Sequence, residues 1–289
     1  VNLLAKSLDA ISSIEAHAEE LTCPKVDVRR AFFLKVVECL DAFFFAHLAA
    51  ALANVIGAGQ LRLQVQPSCD RPEHFEKILC LDRQPWKANF MASVNRHLLI
   101  DSWAVFEACI ADIGYAVLDK AVLENLELEK FKEVDKIITQ AGIAVDAGVN
   151  ERLKRKLRMA HIPIPLLFSA IIKNGGGSYT RDRKKDMEFL CLYGRLRNSM
   201  HANFVYCGQD IEVVWRNVAF RFENGRFSWF SCREDEFPGL LIDMVEELTR
   251  IFDAMVGIVE HDELIQDPME DEACQIVVDE ARAQTWHIA

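Results

Sequence analysis

Apolar residues recur at steps of three and four along most of the chain, the period of helices that bury one stripe and leave the rest to water. Leu4, Leu8, Ile11 and Ile14 mark a first helix over residues 2–21, and Cys23-Pro24 closes it. Over residues 28–56 the pattern starts amphipathic, with Arg29, Arg30, Lys35 and Glu38 at polar positions, and becomes apolar on every side after Asp41. A helix of that kind belongs in the middle of a bundle. The period then fails between residues 57 and 85, where Gly57, Gly59, Pro67 and Pro72 predict an irregular connection with a short helix near 75–79. The clearest stripe follows, over residues 87–123: Leu99, Trp103, Phe106, Ile110, Ile113 and Val117 repeat at alternating steps of four and three and must face a core.

Shorter helices are predicted over residues 128–141, 146–159 and 165–173, with Pro163 stopping the second and Pro165 suited to the first turn of the third. Gly175-Gly176-Gly177 reads as a flexible break before a helix over residues 181–204. Residues 218–222 and 227–230 then alternate at period two around Glu223-Asn224-Gly225-Arg226, and Asn-Gly at a turn centre predicts a β-hairpin. Residues 211–214 supply a third strand. A last long helix over 238–264 presents Leu241, Val245, Leu248, Phe252, Met255 and Val259 to the core, followed by an acidic linker and a short helix at 272–284. The pattern as a whole predicts a mainly α protein, a helical bundle with a small β-hairpin or three-stranded β insertion. The domain reading is an N-terminal helical region (1–85), a helical domain carrying the hairpin at 211–230 (86–265) and an acidic tail (266–289).

The helix over 181–204 carries the chain's one site-like feature. At about 100° per residue, Phe189, Leu192, Leu196 and Met200 cluster on one side and define its buried face. Arg197 and His201 lie one turn apart, about 40° from each other, at the flank of that stripe. Arg195 points about 120° from His201. The expected setting is the edge of the core, where a groove or a subunit interface forms.

Charge sharpens attention on this part of the chain. Residues 150–197 hold twelve Lys or Arg against four acids, a formal +8 inside a chain of −11. A localised basic field on an acidic protein attracts a polyanion selectively. The alternative is that the same charges sit on solvated helix faces and pair with acidic neighbours.

Nine cysteines scattered singly, without a Cys-x-x-Cys pair, fit reduced cytosolic thiols that act as core filler, and neither a metal site nor a cofactor is expected. The N-terminus reads as lacking a signal peptide, and the longest apolar run, 42–58, is interrupted by His47 and Asn54 and is short for a membrane span. The expectation is a cytoplasmic protein. Gly175-Gly176-Gly177-Ser178 lacks the Gly-Lys-Ser/Thr of a phosphate loop. Asp262-Glu263 and Glu270-Asp271-Glu272 read as solvated acidic surface, and the hairpin aromatics read as packing on the bundle rather than as a base-stacking platform.

Arg195-Leu196-Arg197-Asn198-Ser199-Met200-His201-Ala202-Asn203, at the end of a helix that follows a longer one, resembles the Arg/His signature of the HEPN superfamily. The resemblance extends over roughly residues 87–264. It implies a HEPN-type helical bundle and a homodimer in which paired motifs act on RNA as a metal-independent endoribonuclease of stress or phage defence. In that reading Arg197 and His201 work on the scissile phosphate and the 2′-hydroxyl, Asn198 orients them, and Arg181, Arg183, Lys184, Lys185 and Arg195 hold the RNA backbone. The chemistry suits the residue types, since an imidazole moves protons near neutral pH and a guanidinium holds phosphate oxygens as charge develops. Three residues separate Arg197 from His201, one fewer than the superfamily's catalytic spacing; five separate Arg195 from His201, but Leu196 replaces the polar residue expected next to the arginine. A HEPN-like scaffold without catalysis, used for dimerisation or interaction, is the alternative that the same residues allow.

Overall fold

The computed structural model describes residues 2–57, 84–159, 161–202, 205–233, 235–259 and 263–267. Along them run nine helices and three strands: α1 (Leu3–Glu20), α2 (Val28–Gly57), α3 (Gln84–Val117), α4 (Lys120–Glu127), α5 (Glu129–Gln140), α6 (Ala147–Leu157), α7 (Ile164–Asn174), α8 (Arg183–His201), β1 (Ile211–Trp215), β2 (Val218–Phe222), β3 (Trp229–Phe230) and α9 (Phe237–Val256). The protein is mainly helical with one small antiparallel sheet, ordered β1-β2-β3. Among these residues no helix is long and apolar enough to cross a membrane. The short helix near 75–79 and the one at 272–284 fall outside the described residues.

The chain divides into two units, each assembled from separate stretches. The first takes residues 1–22, 32–105 and 192–250. Its core draws on Ile11 and Ile14 of α1, Phe32, Val36 and Leu40 of α2, Leu99 and Trp103 of α3, Leu196 and Met200 of α8, and Leu241 and Val245 of α9, all buried. Leu8, a member of the predicted α1 stripe, is instead exposed, and Ser7 and Ala10 take the buried places beside Ile11. His17 meets the Phe33 ring edge-on at 4.7 Å, and Lys6 reaches Asp243 at 2.7 Å and the Gly239 carbonyl at 2.7 Å.

The sheet belongs to this unit. Its inward face puts Phe220 and Phe222 in the core, and Phe230 stacks on Phe237 at the start of α9, ring centroids 4.5 Å apart. Asn224-Gly225 does form a turn, with Arg226 N–H donating to the Glu223 carbonyl at 3.0 Å and Gly225 at φ 72°. The tighter hairpin is the one the sequence pattern did not single out: Arg216 and Asn217, both at positive φ, join β1 to β2 in a two-residue loop that pairs Trp215 with Val218. Two consecutive positive φ values match the twist of the flanking strands. Arg216 is further held by Asp243 at 2.6 Å and lies over the Trp215 ring.

The second unit takes residues 23–31, 106–191 and 251–289. Phe106, Ile110 and Ile113 of α3, Leu167, Phe168 and Ile171 of α7, and Phe252 and Met255 of α9 are buried in it. A clasp holds the start of α2: Asp27, fully buried, accepts from Arg29 Nε at 2.8 Å and Nη2 at 2.6 Å and from Ile265 N–H at 3.4 Å. Burial alone would raise the Asp27 pKa, but these hydrogen bonds and the guanidinium outweigh it and hold the carboxyl below its ordinary value.

Five expectations are corrected. The helix predicted over 87–123 breaks: α3 ends at Val117, and Asp119 starts α4 with its carbonyl accepting from Val122 and Leu123. The break lets Leu118 turn inward to 6 % exposure. The last helix ends at Val256 rather than near 264, closing on bonds from Ile258 N–H to Met255 and from Val259 N–H to Val256. Ile258 then packs on the glycine triplet: a Cβ on Gly175 would stand 3.0 Å from the Ile258 carbonyl, and one on Gly177 would stand 3.1 Å from its Cα. Those glycines therefore permit a close approach and are more than a flexible break. The apolar half of α2 is not wrapped on every side among the described residues, since Phe45 and Leu52 are exposed and, of residues 42–52, only Phe43 is buried. Of the six described cysteines, all free thiols, Cys109 alone is fully buried and Cys207 is exposed. Cysteine side chains are small enough to sit at half-covered positions, and burial pushes the half-buried Cys39 thiol up to about 12.

Candidate functional site

The C-terminal half of α8 is held by its buried face. Leu192, Leu196 and Met200 are at most 2 % exposed, as the period predicts, and Tyr193 joins them. Tyr193 stacks on Trp103 of α3 at 5.3 Å between ring centroids, and its hydroxyl lies 2.7 Å from Ser102 Oγ. Burial raises the Tyr193 pKa, so the hydroxyl stays protonated. Ser102 also donates to the Leu98 carbonyl one turn back; its single proton is spent there, and Tyr193 is the donor of the pair. This bond adds a directional contact to the apolar face that sets the rotation of α8 within the first unit.

That rotation decides how the motif is presented. Arg197 is half-buried, Asn198 and His201 are exposed, and Arg195 is half-buried. Arg197 donates from Nη1 to Asn198 Oδ1 at 3.1 Å. Ser199, the next residue, is buried and donates back to the Leu196 carbonyl at 2.8 Å. The helix ends directly after His201, with Ala202 N–H shared between the Asn198 and Ser199 carbonyls. The chain then enters the sheet region, where Val205 bridges Phe227 and Tyr206 N–H donates to the Arg226 carbonyl at 2.9 Å. The end of α8 is thus anchored on one side by α3 and on the other by the hairpin loop. Chemically it offers a guanidinium oriented by an amide and, one turn on, an imidazole open to solvent.

The cations predicted to hold a polyanion divide into two kinds. Around the start of α8, in the second unit, each has a local partner. Arg181 donates to both carboxylate oxygens of buried Asp186, at 3.0 and 2.8 Å, and Tyr179 donates to the same carboxylate at 2.7 Å. Burial, then the Asp186 carboxylate, raises the Tyr179 pKa. Arg183 bonds Ser169 Oγ, Lys184 lies 3.9 Å from Glu188, and Lys185 lies 3.8 Å from Asp182. Asp182 caps the helix, accepting from the backbone N–H of Lys184 and Lys185, and those bonds lower its pKa. The segment's other cluster, near the end of α6, is differently placed. Lys154, Arg155 and Arg158, with Glu124, Leu128 and Glu151, line a groove of about 310 Å³. The sequence count of charges contained these residues, but periodicity gave no reason to prefer them over Arg181 to Lys185.

Two aromatics of the sheet region are exposed, Phe227 at 72 % and Trp229 at 52 %. Arg221 sits over the Trp229 ring and pairs with Glu212 across the strands. Among the acidic residues singled out near the C-terminus, only Glu263 is described, and its carbonyl accepts from Arg29.

The fold and site define a mainly helical protein with an Arg/His pair at an accessible helix end. No family model, no curated protein and no solved structure matches the chain.

Proposed function

We propose that this chain is a HEPN-like protein that binds RNA and cleaves it without a metal ion at the C-terminal end of α8, acting as a homodimer. The observation that carries the reading is the exposed imidazole of His201 one turn beyond the Arg197 guanidinium, which Asn198 orients through a 3.1 Å hydrogen bond. In the reaction His201 takes the proton of a ribose 2′-hydroxyl as its oxygen attacks the adjacent phosphorus. Arg197 bonds the phosphate oxygens on which charge accumulates, and the 5′-oxygen leaves with a proton, giving a 2′,3′-cyclic phosphate and a 5′-hydroxyl. A second motif across the dimer supplies that last proton.

Purified protein should cleave single-stranded RNA in EDTA and leave the cyclic phosphate, and His201→Ala should abolish the cut with the thermal melt unchanged. Cleavage that persists in His201→Ala removes this residue from the mechanism.

A non-catalytic reading is favoured by one feature: Arg197 is half-buried and tied to its own helix neighbour, an arrangement that also serves an interface. It predicts no cleavage and a dimer that Arg197→Glu dissociates, read by light scattering. A dimer indifferent to that change counts against it.

A further inference from the structure

We infer that the groove beside the end of α6 is a binding site for the sugar-phosphate backbone of single-stranded RNA, an inference that rests on the RNA reading above. Its lining is Glu124 from α4, Leu128 at the junction of α4 and α5, Glu151, Lys154 and Arg155 from α6, and Arg158 just beyond. At about 310 Å³ it lies at the small end of ligand pockets and takes one sugar-phosphate unit at a time.

Charge compensation separates Lys154 and Arg155 from Arg181, Lys184 and Lys185 at the start of α8. Arg158 is held at the groove wall by Glu127, its Nε donating to Oε2 at 2.6 Å. Lys154, Arg155 and Lys156 form no ion pair among the described residues, whereas Arg181, Lys184 and Lys185 each have a carboxylate within 4 Å. The negative end of α6 accounts for part of the excess, because cations in a last turn offset about half a charge. Three cations in that turn, of which Lys154 and Arg155 line the groove, exceed this, and Lys154 is half-buried, where an ammonium gains most from an anion brought to it.

The two carboxylates indicate which anion. Glu124 and Glu151 repel a free, multiply charged phosphate placed in the groove. A nucleic-acid backbone instead lays singly charged phosphates against Lys154, Arg155 and Arg158 and turns sugar edges toward the carboxylates. A ribose 2′-hydroxyl donates to a carboxylate oxygen, whereas deoxyribose leaves that oxygen without a donor. The groove therefore prefers RNA to DNA.

The test is fluorescence anisotropy of a labelled oligouridylate and of the matching oligodeoxyuridylate, over a range of salt concentrations. It uses the full chain and, so that the probe stays whole, the His201→Ala background. Lys154→Ala/Arg155→Ala should weaken RNA binding about tenfold at low salt and flatten the salt slope by about 1.4, the change for two single-strand phosphate contacts. Glu124→Ala should narrow the preference for RNA over DNA. An unchanged affinity and slope in the double variant overturn the groove and leave the cleavage reading intact. Binding lost in the double variant, with no cleavage by the wild type, keeps the groove and overturns the catalytic reading. No RNA binding by either parent overturns both.

Discussion

Tyr193 donates a hydrogen bond from its buried hydroxyl to Ser102 at 2.7 Å, and Ser102 donates its own to the Leu98 carbonyl. The direction of this relay makes the two partners unequal. Removing the Tyr193 hydroxyl leaves Ser102 still bonded, so Tyr193→Phe should cost about 1 kcal/mol. Removing Ser102 takes away the acceptor of a buried phenol, so Ser102→Ala should cost about 2 kcal/mol. The double variant should be no less stable than Ser102→Ala, a coupling that a urea-denaturation cycle reads directly. Equal, additive losses would show that the relay is not a directional contact on α8.

Asp27 works from a fully buried position at the start of α2. Its folded pKa lies below the ordinary aspartate value because Arg29 and two backbone N–H groups bond the ionised form. The stabilisation is therefore complete above the unfolded pKa, about 3.9, and is lost as pH falls through the depressed folded value. Asp27→Asn should destabilise by about 3 kcal/mol near neutral pH, because it leaves Arg29 facing a neutral amide. The gap between the variant and wild type should shrink in acid melts. A gap that stays constant down to pH 2 would exclude the linkage.

Asn217 stands at φ 65° in the two-residue loop between β1 and β2. Asn217→Gly should leave stability nearly unchanged, whereas Asn217→Val, a β-branched residue forced into the left-handed region, should cost about 1–2 kcal/mol. Thermal melts distinguish the two. The Arg216 ion pair to Asp243 and the Trp215 contact should weaken in the Val variant alone, visible as a change in tryptophan fluorescence.

At the candidate site, Asn198→Ala should lower the RNA-cleavage rate about tenfold by freeing the Arg197 guanidinium from its orienting bond, with little change in melting temperature because Asn198 is exposed. Asn198→Asp keeps an acceptor but adds a charge that competes with phosphate for Arg197, so it should raise KM more than it lowers kcat. Equal activity in all three proteins would remove Asn198 from the positioning role.

Much of the fold follows from local pattern. The 3.6-residue period places nearly every described helix, and it identifies Phe189, Leu192, Leu196 and Met200 as the buried face of α8. A stripe of that kind is legible because burial of one face is a property of neighbouring residues on one helix. The same argument puts Arg197 and His201 at its flank, and Arg197 is half-buried and His201 exposed there. The break at Leu118 was invisible because nothing in the local pattern of α3 changes there; the turn occurs where an inward-facing Leu118 finds a buried place.

What the sequence by itself determined is the class of structure and the rotation of its helices: mainly α, with a short sheet after α8. Local periodicity and turn chemistry carry that information. Tertiary structure alone decided which distant polar groups meet. Lys6 reaches a carbonyl 233 residues away, and Asp27 accepts from a backbone N–H 238 residues away. It also set Arg181, Lys184 and Lys185 beside carboxylates at α8 and left Lys154 and Arg155 without an ion pair among the described residues along the groove at α6. Charge can be counted from a sequence, but compensation depends on where each carboxylate lies once the chain is folded.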